Sequence, residues 1–130
     1  MDREYSAADY PLQNETFQLI GICMEVHRQL GRGFLEIVYK DAIEYELHKL
    51  NISYQREVEY TVKYKDTVLA HKFYADFVVG GNIILEIKSQ NGIHEQYEAQ
   101  ILNYLAVSKC KIGLVINYGH SSLKFRRYML

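Results

Sequence analysis

Apolar and polar positions recur along the chain in eight segments, some at helical spacing and some with the shorter period of strands. From Gln13 to Leu30, Phe17, Ile20, Met24, His27 and Leu30 recur at helical spacing, which predicts an amphipathic helix with these residues inward. "LGRGF" then breaks it, with Gly31 placed to cap the C-terminus. A second helix is predicted over roughly Leu35 to Leu50, its stripe formed by Leu35, Val38, Tyr39, Ala42, Ile43, Leu47 and Leu50. The period drops to two in "YQREVEYTVKY" (Tyr54 to Tyr64), rich in β-branched and aromatic residues, so this is a strand. "KDT" turns the chain into a strand from about Val68 to Val79, and "GGN" turns it again into Ile83 to Lys88. Helical spacing returns from Ile93 to Ser108 through Ile93, Tyr97, Ile101, Tyr104 and Leu105. "KIGLVINYG" is nearly all apolar, as a strand covered on both faces must be, and a last strand runs from about Leu123 to Met129.

The order ααβββαββ predicts a mixed sheet flanked by helices, in the α/β or α+β class. The helix between Lys88 and Ile112 is a crossover, so the strands on either side of it are expected to be parallel neighbours. At 130 residues the chain has material for a single core. We expect one domain over 13–130, behind an N-terminal arm of residues 1–12 marked off by Pro11, the only proline.

Composition narrows the function by exclusion. Apolar residues make up 48% and charged residues 24%, ordinary for a soluble globular protein. A formal net charge of −1 gives no global basic field. Polyanion binding would therefore rest on a local patch, either Arg28 with Arg32 or Lys124, Arg126 and Arg127, although a solvated surface explains each cluster at least as well. Cys23 and Cys110 form no CxxC and read as buried or idle thiols in a reducing compartment. The polar N-terminus has no signal-peptide core, and no apolar run approaches the ~20 residues that cross a bilayer. A cytoplasmic protein without membrane contact is expected. The five histidines are scattered, and no HExxH, GxSxG, P-loop or GxGxxG occurs, so zinc-protease, serine-hydrolase, NTPase and dinucleotide readings have no local support.

Against this background Asp76, Glu86 and Lys88 stand out, because they interrupt strands that should be buried, where an unpaired charge costs several kcal/mol. Alternation puts Glu86 and Lys88 on one face. A two-residue Gly-Gly loop would pair Val79 with Asn82 and turn Asp76 away from Glu86. A three-residue loop, Gly80 to Asn82, pairs Val79 with Ile83 and sets Asp76 opposite Glu86. The second register is expected, since Gly and Asn suit the positive-φ positions of that loop. Two adjacent carboxylates repel unless a cation lies between them, and a hard ion such as Mg²⁺ or Mn²⁺ prefers such oxygen ligands. That ion polarises a phosphoryl oxygen and acidifies a bound water, while a lysine on the same face orients the water or stabilises charge on phosphate. Asp76, Glu86 and Lys88 thus suit phosphodiester cleavage. A salt-bridge cluster at the solvated end of two strands is the competing explanation, and on the triplet alone it is the commoner one.

The context of the triplet resembles the PD-(D/E)xK nuclease superfamily. "GFLEIVY" (Gly33 to Tyr39) reads Gly-x-x-Glu-x-x-Tyr, and "EAQILNYL" carries Gln100-x-x-x-Tyr104. With "LGRGFLE" and "GLVINYG", these fragments resemble the small prokaryotic proteins named after the GxxExxY motif, from about Glu15 to Tyr128. The resemblance implies a restriction-endonuclease-like fold and a nuclease acting on DNA or RNA. It implies that Asp76, Glu86 and the backbone carbonyl of Ile87 bind Mg²⁺ or Mn²⁺, with Lys88 positioning the attacking water. Glu36 would be a further ligand, directly or through water, or else only an acid favoured in a helix's first turn. Gln100 and Tyr104 match an element that borders the active site in recombination-type exonucleases, or they are a boundary Gln and a core Tyr. Ala75 stands where a proline is usual, Arg32 where Gly-Pro-Gly is frequent, and Tyr97 where a His is frequent. The shortage of basic surface points to a homodimer, a protein partner, or a short or single-stranded substrate stacked on tyrosines. A non-catalytic interaction module keeping the fold is the alternative function.

Overall fold

The computed structural model describes residues 11–91 and 94–130. Most of the expected N-terminal arm, and Ile93 of the third helical stripe, lie outside the described residues. The elements follow the predicted order: α1 Gln13–Leu30, α2 Glu36–Lys49, β1 Tyr54–Tyr64, β2 Thr67–Val79, β3 Ile83–Lys88, α3 His94–Ser108, β4 Ile112–Asn117 and β5 Lys124–Met129. The strands form one sheet in sequence order, β1-β2-β3-β4-β5. Only the β3–β4 pair is parallel, and α3 is the crossover that joins it.

Two apolar clusters sandwich the sheet. On one side α1 and α2 pack Leu19, Cys23, Tyr39, Ile43 and Leu47 against Leu85, Ile87, Leu114 and Ile116. On the other, α3 packs Tyr97, Ile101, Tyr104 and Leu105 against Ile84 and Val115. All six residues of β4 are buried, as its apolar run requires. Gly113 lets α3 approach closely, since a Cβ there would fall 2.4 Å from a side-chain carbon of Ile101. Cys23 and Cys110 are both buried and free.

The expected stripe of α1 is displaced. Phe17 and Met24 face outward, and Thr16, Leu19, Ile22, Cys23 and Val26 are buried instead. The helix carries apolar residues on both sides, so two stripes with helical spacing compete, and packing on α2 and the sheet selects the one with the small Cys23. In α2, Tyr39, Ile43 and Leu47 are buried as expected, while Leu35 and Leu50 flank the helix and are exposed. Gly31 caps α1 with φ 69°, its N–H bonded to the His27 carbonyl. The Tyr39 hydroxyl donates to the Gly31 carbonyl at 2.7 Å, and its ring stacks on Tyr118 with centroids 4.1 Å apart. The tyrosine of Gly-x-x-Glu-x-x-Tyr therefore pins the turn between the first two helices.

Candidate metal centre

The β2–β3 hairpin has the three-residue loop: Val79 pairs with Ile83, Val78 with Ile84 and Phe77 with Leu85. Gly80 and Gly81 supply the positive φ angles, 60° and 74°, that the turn needs. One step further along this register, Asp76 lies across from Glu86, and their side chains take over from the backbone ladder. The Asp76 N–H donates to Glu86 Oε1 at 2.9 Å, and the Ile87 N–H donates to Asp76 Oδ2 at 2.8 Å. Each carboxylate thus bonds the backbone of the opposite strand, which holds the two acids together.

The strand is also distorted at this point. Pairing of β1 with β2 passes from Arg56–Phe77 to Val58–Ala75, omitting Glu57 and Asp76, and Glu57 has φ 54°. As a result Ala75 and Val78, three residues apart, pack in the same cluster on the α3 side, where strict alternation would separate them. Such irregularities re-aim side chains. Here the change lets Asp76 Oδ1 meet α2, where Lys40 Nζ lies 3.0 Å away and also bonds the Glu57 carboxylate.

The electrostatics follow from this packing. Glu86 is only 3% exposed, and burial together with the Asp76 charge holds its carboxyl well above the usual range. The Asp76 N–H and Lys88 pull it only part of the way back. Burial pulls the Lys40 ammonium down, but the bonds and charges of Glu57 and Asp76 outweigh this and raise it. Tyr104 is pushed up to about 12 by burial and then by the charge of Glu86.

Lys88 is half-buried, and its Nζ lies 5.4 Å from the centre of the Tyr97 ring. Among the described residues it forms no ion pair with Asp76 or Glu86; the lysine paired with Asp76 is Lys40. Gln100 Nε2 donates to the Tyr104 hydroxyl at 3.2 Å, so α3 carries both residues to the side of the sheet where Glu86 acts on Tyr104. Glu36 opens α2 one turn before Lys40, and among the described residues no hydrogen bond or ion pair joins it to Asp76 or Glu86. Sequence reasoning missed Lys40 and Glu57. The i, i+4 spacing of Glu36 and Lys40 was the one available signal for the lysine. Glu57 sits at an outward position of an alternating strand, and its backbone twist leaves no mark in the residue pattern.

The donors suit a hard cation. Asp76 and Glu86 offer carboxylate oxygens. Because the Ile87 N–H points towards β2, its carbonyl projects to the same edge of β3. Among the described residues no three His, Cys, Asp or Glu side chains converge. Two carboxylates and a carbonyl, with water completing the shell, match how Mg²⁺ is commonly held.

The family model described as the PD-(D/E)XK nuclease superfamily matches residues 13–128. No curated protein matches. The crystal structure of SSO0001 is similar, with a TM-score of 0.52 at 22% identity. The similarity covers 71% of this chain and 48% of SSO0001, so this chain spans about half of that protein. Among the described residues no helix is long and apolar enough to cross a membrane.

Proposed function

The chain belongs to the PD-(D/E)XK nuclease superfamily, and from that premise we propose that it is a nuclease dependent on Mg²⁺ or Mn²⁺, cleaving phosphodiester bonds in DNA or RNA. The observation that carries this reading is the pair of bonds across β2 and β3, from the Asp76 N–H to the carboxylate of the buried Glu86 and from the Ile87 N–H to the Asp76 carboxylate. A fold gains no stability from two acids packed against each other, whereas a hard cation gains a site. Within the superfamily, Gly33-x-x-Glu36-x-x-Tyr39 and Gln100-x-x-x-Tyr104 are the motifs that support a kinship with the GxxExxY proteins.

Asp76, Glu86 and the Ile87 carbonyl would hold the ion. When bound, it supplies a Lewis acid for a phosphoryl oxygen and acidifies a water. Lys88 follows Glu86 by two residues and is held beside the Tyr97 ring. From there its ammonium orients the attacking water and stabilises charge developing on the phosphate. Gln100 fixes the Tyr104 hydroxyl near the acids, and Glu36 is available to a water in the outer shell of the ion.

Lys88→Met is expected to lower cleavage of labelled single- and double-stranded DNA and RNA by roughly 10²–10⁴-fold while the heat of Mn²⁺ binding persists. Full activity in this variant would remove Lys88 from the mechanism. Lys40 supports a second reading. Its ammonium already neutralises Asp76, as a metal would, which suits a non-catalytic module that keeps the fold. Mn²⁺ heat without cleavage of any of these substrates would favour that module.

A further inference from the structure

A cleft lies on the α3 side of the sheet, beside the candidate metal centre, lined among others by Tyr97, Asn117, Lys124, Arg126 and Tyr128. Sheet register leads to it directly. Glu86 pairs with Val115 and Val115 with Arg126, while Lys88 pairs with Asn117 and Asn117 with Lys124. Arg126 and Lys124 therefore sit two strands, about 10 Å, from Glu86 and Lys88. Neither cation has an ion-pair partner among the described residues, in contrast to Arg28, which is bound to Glu25 at 2.6 Å.

The hydroxyl of Tyr97 is the second, independent feature. Tyr97 is only 6% exposed and lines this cleft, yet its buried hydroxyl has no hydrogen-bond partner among the described residues. Leaving a buried donor unpaired is costly, so a native structure keeps one where something else completes it. The cleft has a volume of about 170 Å³ and is open to solvent. A cleft of this size, flanked by Lys124 and Arg126, suits one phosphate group with its ester arms.

We propose that this cleft is a phosphate subsite for single-stranded nucleic acid, in which Tyr97 donates its hydroxyl proton to a phosphate oxygen held between Lys124 and Arg126. It rests on the nuclease reading and adds to it where the strand lies: from the metal centre across β4 to β5. Tyr128 forms the adjoining wall, where Arg126 and, from α3, Glu98 both act on its hydroxyl. The local cations answer the difficulty posed by a net charge of −1.

The test is the binding of fluorescein-labelled dT8, followed by anisotropy in EDTA at low salt so that cleavage does not intervene. Tyr97→Phe is expected to weaken binding by roughly 10–150-fold, the loss of one hydrogen bond to a charged group. Its Tm should stay the same or rise, because an unpaired buried hydroxyl is lost. Arg126→Gln and Lys124→Gln should each weaken binding and flatten its salt dependence. Unchanged affinity in Tyr97→Phe, a weakening matched by lost stability, or equal affinity for a blunt duplex would each overturn the subsite. If the wild type cuts nothing with Mn²⁺ yet binds dT8 in a Tyr97-dependent way, the nuclease reading fails and the subsite stands. If it cuts but Tyr97→Phe binds normally, the reverse holds.

Discussion

Replacing Lys40 with methionine is expected to destabilise the metal-free protein by about 2–3 kcal/mol. Removing one partner of a fully buried ion pair typically costs about 3–5 kcal/mol, and the half-exposed Glu57 brings this pair somewhat below that range. The variant leaves Asp76 against Glu86 with the Ile87 N–H as its remaining donor on that side. Methionine fills the space of the lysine stem, so the loss reports the charge and not a cavity. In urea unfolding the midpoint should fall with an unchanged m-value. Mn²⁺ should recover more stability in Lys40→Met than in wild type, because the ion then supplies the only cation at Asp76. An unchanged midpoint would mean that the pair contributes little and that Asp76 is neutralised in another way.

Glu86→Gln should act in the opposite direction and abolish cleavage. Burial and the Asp76 charge raise the Glu86 carboxyl in the folded protein. Between the ordinary carboxylate value and that raised value, the folded state holds a proton that the unfolded chain has released. Metal-free stability therefore falls as pH rises through this window, and it is fully present only below it. Glutamine cannot ionise, yet its oxygen can still accept from the Asp76 N–H. The variant should match wild type near pH 4 and exceed it at pH 8, by roughly 4 °C in Tm for each kcal/mol recovered. Mn²⁺ should stabilise wild type increasingly as pH rises, since binding expels the Glu86 proton, and should leave Glu86→Gln unmoved. Parallel pH profiles for the two proteins would show that Glu86 is ionised throughout. Greater stability combined with lost function is the signature of an acid kept for chemistry.

The architecture was legible because its strands and helices differ in period and its turns are marked by Gly, Asn and Asp. The parallel β3–β4 pair followed from the crossover helix, and the register of the hairpin from the chemistry of Gly80, Gly81 and Asn82. Residue pattern was less informative about α1, where two apolar faces compete and tertiary packing decides. It was blind to the distortion at Glu57 and Asp76, because alternation assumes a regular strand. That distortion lets Asp76 meet Lys40, so the cation beside Asp76 comes from α2 and not from β3. That the Tyr97 hydroxyl has no partner among the described residues was equally hidden, since a tyrosine on a helical stripe reads as core until its surroundings can be seen.

The most direct measurement of the central claim is a calorimetric titration of Mn²⁺ into wild type and Asp76→Ala, with cleavage of labelled DNA and RNA followed in the same samples. Asp76 and Glu86 as joint ligands predict saturable heat at one ion per chain in wild type, rising in affinity with pH, together with cleavage. Both should vanish in Asp76→Ala. Equal heat in the two proteins, or none in wild type, would contradict a metal centre between β2 and β3 and leave Asp76 as a partner of Lys40 alone.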